Sequence, residues 1–408
     1  MNEWKKVKLG DCISTKKGFA FKSALYTNCG VPVVRVSDFT LDSVADNDLV
    51  YYPHAEKDRY DEYVLNEGDV LIQTVGSWQY NPNSVVGKVV RVPYYHKGSL
   101  LNQNIVKIIP NNGYNNAFIF YRLKCRDFAG HVLGEARGAA NQASITLDTI
   151  KRFSFDCPLL STQQRIATIL SRYDSLIENY RKQIKLLEEA AQRLYKEWFI
   201  DLRFPGHENT MIVDGVPEGW EKKPVKTIIE LQSGYAFKSS AFMDDGIYKI
   251  VTIKNVKDGA FDGENVSKIA SIPEKMPKHC ILENGDILLS LTGNVGRVCI
   301  VNGKNYLLNQ RVAKLKSAYK AYTYCLFRSR DMFIEVNNLA NGAAQQNVSP
   351  IRIGEMKILI PEKKWLDDFE RTVSNYILGI ITLQSQIRFL TEVRDRLLPK
   401  LMSGEIAV

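Results

Sequence analysis

Between Ser161 and Phe199, apolar positions recur at alternating steps of four and three: Ile166, Leu170, Tyr173, Ile177, Tyr180, Ile184, Leu187, Ala191, Leu194 and Trp198. That is a 3.5-residue period, the seam of a coiled coil rather than the broader stripe of a core helix. Phe369, Val373, Tyr376, Ile380, Leu383, Ile387, Leu390, Arg394, Leu397 and Leu401 repeat it position for position, 203 residues later. Arg394 alone breaks the apolar run. Two long helices with matching seams in one chain bury them most simply on each other. The alternative is two helices that each pack on a local core.

Elsewhere the runs are shorter. Val31–Val36, Val70–Thr74, Val85–Val92 and Ile105–Ile109 are rich in β-branched residues and bounded by Gly, Asn or Pro, which predicts strands. Ala117–Arg126 predicts a helix, with a counterpart at Ala321–Arg328, and Phe153 and Phe155 alternate with polar neighbours as a last strand before Pro158. Strands are expected again at Tyr248–Ile253, Ile287–Leu291 and Val298–Val301. Each half is read as an α+β domain.

The halves are copies. GFAFKS at Gly18–Ser23 returns as GYAFKS at Gly234–Ser239, 216 residues on, and Trp4 returns as Trp220. Glu67–Ile72 matches Asn284–Leu289, Val86–Val89 matches Val295–Val298, Leu100–Gln103 matches Leu307–Gln310, and Gly138–Ala140 matches Gly342–Ala344. Pro158 matches Pro361 before each long helix. Landmarks in one shared order define a tandem duplication. The largest slip in spacing is eight extra residues around Ser77–Ser84, and insertions belong to loops. A constant frame with variable loops suits a pair of recognition domains with different targets.

The expected segments are a first globular domain at 1–157, a first long helix at 158–200, a linker at 201–218, a second globular domain at 219–360, and a second helix with a tail at 361–408. The linker is short and holds Pro205, Gly206, Gly215 and Pro217. It tethers the end of one helix to the domain that starts the other, so the helices are expected to run antiparallel, with the globular halves related by a pseudo-twofold axis. The seam from Ile166 to Trp198 would span roughly 48 Å, on the order of 14 base pairs of duplex DNA.

Length and composition fit this picture. At 408 residues, 45% hydrophobic and 24% charged, the chain is expected to form two or three folded domains. No apolar run reaches the length needed to span a bilayer, and the start lacks the apolar stretch of a signal peptide, so a cytoplasmic protein is expected. The seven cysteines are scattered without a CxxC pair, and the five histidines do not cluster with them; neither a zinc site nor a disulfide framework is supported. A net charge of +9 suits a phosphate-rich partner.

Three runs carry a family resemblance: PLLSTQQRIATIL at Pro158–Leu170, WFIDLRFPG at Trp198–Gly206, and RLLPKLMSGEI at Arg396–Ile406. With the duplicated layout, they resemble the specificity subunits of type I restriction–modification systems over essentially the whole chain. The resemblance implies a non-catalytic DNA-reading subunit with two target recognition domains. Each domain would read one half of a bipartite, asymmetric site in double-stranded DNA, and the helices would set the gap. It also implies two methyltransferase subunits docked on the helices, and restriction subunits with translocase activity completing the complex. S-adenosylmethionine, ATP and Mg would sit on those partners, leaving this chain without a cofactor. One departure stands out: Leu366, Asp367 and Asp368 occupy the second helix start where Gln163, Gln164 and Arg165 occupy the first.

Enzyme chemistry finds little support. No Asn-Pro-Pro-aromatic motif occurs, Asn81–Ser84 reads as a turn, and no Gly-rich phosphate loop follows a strand. Asp69 and Asp286 follow Gly at strand starts, where a turn or backbone hydrogen bond is the plainer reading than a metal site. For DNA contact the candidates are basic and amide residues. Lys22 and Ser23, with Lys238 and Ser239, follow the repeated aromatic loop; Arg35, Gln73, Thr74 and Arg137 differ from Thr252, Ser290, Thr292 and Arg297 across the halves. Asn141 and Gln142, with Gln345 and Gln346, follow the small-residue motifs near the helix entries. Asn102 and Gln103, with Asn309 and Gln310, could contact adenine edges or brace the shared scaffold. A self-contained DNA-modifying enzyme and a coiled-coil scaffold that reads no DNA are the competing readings.

Overall fold

The structure, a computed structural model, describes residues 4–46, 48–78, 84–139, 142–264, 266–340 and 347–408. It divides into two compact units. The first comprises residues 1–176 with 391–408, and the second residues 177–390. Each unit therefore holds one globular repeat, the start of one long helix and the end of the other.

In the first unit, Lys5–Lys8 pairs antiparallel with Ser154–Cys157, joining the two ends of the repeat beside the helix start. A four-stranded antiparallel sheet runs in the order Ile13–Lys17, Ile105–Pro110, Val70–Gln73, Val89–Arg91. A second sheet places Val31–Val34 between Val50–Tyr52 and a parallel neighbour, Leu100–Leu101. Arg137–Ala139, Gln142–Ser144 and Val75–Gly76 form a third. Val70 and Ile72 enter one core with Val106 and Ile108, while Leu71 enters another with Val90 and Ile105. A strand buried on both faces is apolar at consecutive positions, which is why Val70–Ile72 shows no polar alternation.

The second unit repeats the plan. Glu221–Pro224 pairs with Lys357–Ile360, and a four-stranded sheet runs Glu230–Ser233, Val312–Lys316, Ile287–Ser290, Val298–Ile300. Ile287 and Leu289 again serve one core, and Leu288 the other. Two expectations are refined. The strand expected at Val85–Val92 is confined to Val89–Arg91, because Gly87 turns the chain at φ 80°. The helix expected at Ala117–Arg126 ends at Leu123, and a second one runs Arg126–Glu135 after an extended Cys125.

The long helices are Leu160–Tyr195 and Lys363–Met402, 36 and 40 residues. Both are continuous across the division between the units. In the first unit Ile166, Ala167 and Leu170, near the start of one, share a core with Leu401 and Met402 at the end of the other. In the second unit Ala191 and Trp198 share a core with Phe369, Val373, Ile377 and Ile380. Start packs with end in both, so the pairing is antiparallel. Ile166, Leu170, Phe369, Val373 and Ile380 are fully buried because the globular cores cover them as well, each contributing about 1.5–3 kcal/mol. Tyr173, Tyr180, Ile184, Leu187, Leu194, Tyr376, Leu383, Ile387, Leu390 and Leu397 are half-buried, while Ile177 and Leu401 are buried. The seam break at Arg394 is also buried, at 8% exposure.

The altered start of the second helix has a physical reason. In the first repeat, Gln163 accepts a hydrogen bond from the Asn115 backbone N–H (2.9 Å) and donates to the Pro158 carbonyl (2.9 Å), while the Asn115 side chain caps Asn116–Leu123. In the second repeat Leu366 is buried at that position, and no side chain of its own segment caps Lys320–Arg328. Glu370 does so from the long helix, accepting from the Ala321 N–H at 3.0 Å. A carboxylate at a helix N-terminus satisfies both the free N–H groups and the dipole. Segment 201–218 is ordered by Phe204, which packs on Trp220 and Trp365 at 5.0 and 4.9 Å between ring centroids, and by a hairpin pairing Ile212–Val213 with Val216–Pro217. Among the described residues no helix is long and apolar enough to cross a membrane.

Candidate nucleic-acid interface

The repeated aromatic loop is held by backbone contact. Gly18 donates to the Ile105 carbonyl at 2.9 Å, and a Cβ there would lie 1.9 Å from the Asn102 carbonyl oxygen. At Gly234 the same atom would lie 2.2 Å from the Asn309 oxygen. Only glycine fits so close an approach. Phe19 and Phe21 then pack on Tyr60 and Tyr52, and Tyr235 packs on Phe237. The anchored loops leave Lys22, Ser23, Lys238 and Ser239 exposed.

Arg35 and Thr252 occupy matching turns. The Arg35 N–H donates to Asp38 and the Thr252 N–H to Asn255, both at 2.8 Å. The Arg35 guanidinium is engaged with Asp38 (2.9 Å) and the Asp48 carbonyl (2.8 Å). The Thr252 hydroxyl donates to Asn255 at 2.9 Å, yet Thr252 also lines an open cleft of about 980 Å³ in the second unit. Phe242, Met243, Ile253 and Val266 give the cleft apolar walls, Lys254, Lys268 and Arg311 supply cations against the carboxylates of Asp244 and Glu264, and Asn309 and Gln310 add amides. Lys254 and Arg311 are exposed, and neither forms an ion pair among the described residues. Lys268 donates to the Asp244 carbonyl at 3.0 Å. Cations beside donors and acceptors on an open concave surface suit phosphate positioning and base-edge contact.

A second group of candidates lies on other strands. Arg137 and Gln142 are exposed on the small sheet closed by Val75–Gly76. Gln73, Thr74 and Thr292 turn inward, contrary to the expectation that they face a ligand. The buried Gln73 amide donates to the carbonyls of Val75 and Ser84 at 2.9 Å each, bracing the inserted loop. The Thr74 hydroxyl donates to the Asn104 carbonyl at 3.0 Å, and that of Thr292 to Asn347 at 2.9 Å. Arg297 is half-buried at the turn closed by Ser290. Asn141, Gln345 and Gln346 lie outside the described residues.

Asp69 and Asp286 are braces. Asp69 pairs with Lys107 at 2.6 Å and accepts from the Asn66 N–H; Asp286 pairs with Lys314 at 2.9 Å and accepts from the Glu283 N–H. Among the described residues no cluster of His, Cys, Asp and Glu could hold a metal ion. Lys254, Lys268 and Arg311 escaped the sequence reading. Arg311 had a signal: it directly follows the repeated Leu-Leu-Asn-Gln motif, where the first half has Asn104.

A duplicated α+β domain with a long antiparallel helix after each copy, and an open cleft beside the repeated loop of the second, is the architecture of a two-reader binding protein. The chain belongs to the family described as the type I restriction modification DNA specificity domain, whose model matches residues 1–189 and 217–373. It is 29% identical to the type I restriction enzyme MjaIX specificity subunit of Methanocaldococcus jannaschii over 318 residues, covering 75% of this chain and 73% of that one. The EcoBI specificity subunit of Escherichia coli is 24% identical over 347 residues, with 78% and 67% covered. In fold the chain is similar to the S subunit of a type I restriction-modification system from M. genitalium, with a TM-score of 0.56 at 15% identity, covering 98% and 96% of the two chains.

Proposed function

We propose that this chain is the DNA-recognition subunit of a type I restriction–modification complex. Its recognition domains, 1–157 and 219–360, each read one half of a bipartite, asymmetric duplex site. The observation that carries this reading is a shared scaffold with unlike surface chemistry. Gly18 and Gly234 hold identical loop contacts, whereas Arg35 and Thr252, or Asn104 and Arg311, differ at matching places. The helix pair would set the gap between half-sites and dock two methyltransferase subunits. S-adenosylmethionine, ATP and Mg would be handled by those subunits and by restriction subunits, leaving recognition alone to this chain.

The test is selection of bound duplexes from a random library by this chain co-expressed with its methyltransferase partner. Two short, different motifs at a fixed gap are expected. Deleting one heptad from each long helix should shorten that gap by about three base pairs, since seven residues rise roughly 10.5 Å. A single contiguous motif would overturn the two-reader function. Binding of S-adenosylmethionine by the isolated chain would favour a self-contained enzyme. Salt-insensitive binding would favour a scaffold, because phosphate contacts release counterions.

A further inference from the structure

We infer that the cleft of the second domain reads an A·T base pair, with the thymine methyl against Phe242 and Met243 and the adenine edge at the Asn309 amide. This rests on the DNA-recognition reading above.

Phe242 and Met243 are 40% and 46% exposed on an apolar wall of the cleft. Their counterparts 216 residues earlier are Tyr26 and Thr27. There the Asn102 amide donates to the Tyr26 hydroxyl at 3.3 Å, and the Thr27 hydroxyl donates to the Cys29 carbonyl at 2.6 Å. In the second domain the tyrosine is replaced by Phe242, which has no hydroxyl. Asn309, the counterpart of Asn102, therefore loses that acceptor, and it lines the cleft. Its carbonyl oxygen accepts from the Arg311 N–H at 3.3 Å, leaving a second lone pair and the amide donor. The substitution of one repeat relative to the other thus changes two things together. It turns a polar wall apolar, and it releases an amide.

In the major groove, thymine presents a methyl group and adenine a paired donor and acceptor, the pattern that an apolar contact and an Asn amide complement. A G·C pair offers no methyl, and its guanine edge carries two acceptors. Arg311 and Lys254, exposed at the same cleft, supply positive charge for the flanking phosphates. The first domain, whose equivalent amide is already bonded to Tyr26, lacks this combination, so the preference belongs to one half-site.

The experiment uses the full chain with its methyltransferase subunits and the duplex selected from the random library. Each thymine in both half-sites is replaced in turn by deoxyuridine, which removes only the methyl group. One position, in one half-site, should lose about four-fold in affinity, the equivalent of one buried methyl. In the double variant Phe242→Tyr/Met243→Thr, which installs the first-domain residues, thymine and uracil duplexes should bind equally at that position. Continued dependence of the variant on the other base pairs of the same half-site reports that the second domain is folded. A bipartite site with no deoxyuridine-sensitive thymine overturns this inference and leaves the recognition function standing, as does sensitivity that persists in the double variant. Failure to select any duplex overturns both.

Discussion

Replacing Arg394 by alanine removes the centre of a buried charge cluster in the first unit. Arg394 donates to Asp42 at 3.0 Å and to Asp174 at 2.7 Å, and is bonded to Asp395 at 2.9 Å. Asp42 keeps Lys124 at 2.6 Å, whereas Asp174 keeps Tyr121 at 2.5 Å and Arg91 at 3.8 Å. Breaking a buried pair from one side costs about 3–5 kcal/mol, because the remaining charge is stranded. Each aspartate here retains a second partner, so about 3 kcal/mol is expected. That corresponds to roughly 6–12 °C for a unit of this size. Hydrogen exchange is the assay: amides of Ile105–Pro110 should lose protection by that amount, while those of Val312–Lys316 in the other unit serve as the reference. The double variant Arg394→Ala/Asp174→Ile places in this unit the residues found 203 positions away, Ala191 and Ile377. It should recover at least half the loss, since the stranded carboxylate is gone. A cost below about 1 kcal/mol for Arg394→Ala, or a double variant worse than the single one, would refute the reasoning.

Burial alone would raise the Asp42 carboxyl, but Lys124 and Arg394 outweigh it and bring the carboxyl down to about 2. Lys88, itself held down to about 8 by burial and Lys124, faces the same aspartate. A carboxyl with a depressed folded-state value contributes above its unfolded value, near 3.9, and that contribution fades as pH falls toward 2. The stability gap between the wild-type chain and Asp42→Asn should therefore be constant between about pH 5 and 7 and close between roughly pH 4 and 2 in urea titrations. Gly234→Ala should cost about 1–3 kcal/mol through overpacking against the Asn309 carbonyl. Its footprint on DNA should weaken at one half-site only, because the loop carrying Lys238 is displaced. Arg311→Ala and Lys254→Ala should each lower the salt slope of binding by about one if the side chain meets a phosphate, as titrations of affinity against salt would show.

The features legible in the sequence were those written in local period. A 3.5-residue repeat announces itself within one helix, and a 203-residue offset shows by comparison of the chain with itself. The halved strand at Val85–Val92 was missed because the turn at Gly87 depends on a positive φ that the β-branched run masks. Gln73 and Thr74 looked like surface amide and hydroxyl groups; their acceptors lie 11 and 30 residues away, on loops whose approach no local pattern encodes. Arg394 read as a defect in a seam, since its partners Asp42 and Asp174 lie 352 and 220 residues away. Asn102 and Asn309 were correctly paired as equivalents. Their difference in hydrogen bonding required seeing Tyr26 and Phe242 beside them.

Two charge clusters, one in each unit, carry the comparison of the repeats one step further. Asp258 stands 216 residues after Asp42, and Arg328 stands 204 after Lys124. In the first unit the helix side chain meeting this corner is a cation, Arg394 on Asp42. In the second it is an anion. Glu188 accepts from Tyr324 at 2.6 Å and pairs with Arg328, which is itself paired with Asp258. Burial raises the Glu188 carboxyl, against the pull of Tyr324 and Arg328, so the group gains its place only with those partners present. The repeats therefore share a fold but meet their helices through different charged groups, Arg394 with Asp174 in the first unit and Glu188 in the second. A copy of the second globular repeat set on the first unit's helices would keep a cation and an aspartate at this corner, Arg328 for Lys124 and Asp258 for Asp42, but would leave Asp174 without Tyr121, whose counterpart 204 residues on is Cys325. A buried hydroxyl donor lost in this way leaves the carboxylate with fewer partners, at a cost of about 1–3 kcal/mol. Sequence similarity between the halves thus does not make them interchangeable, and each repeat is matched to its own helix ends by electrostatics that the shared seam does not encode.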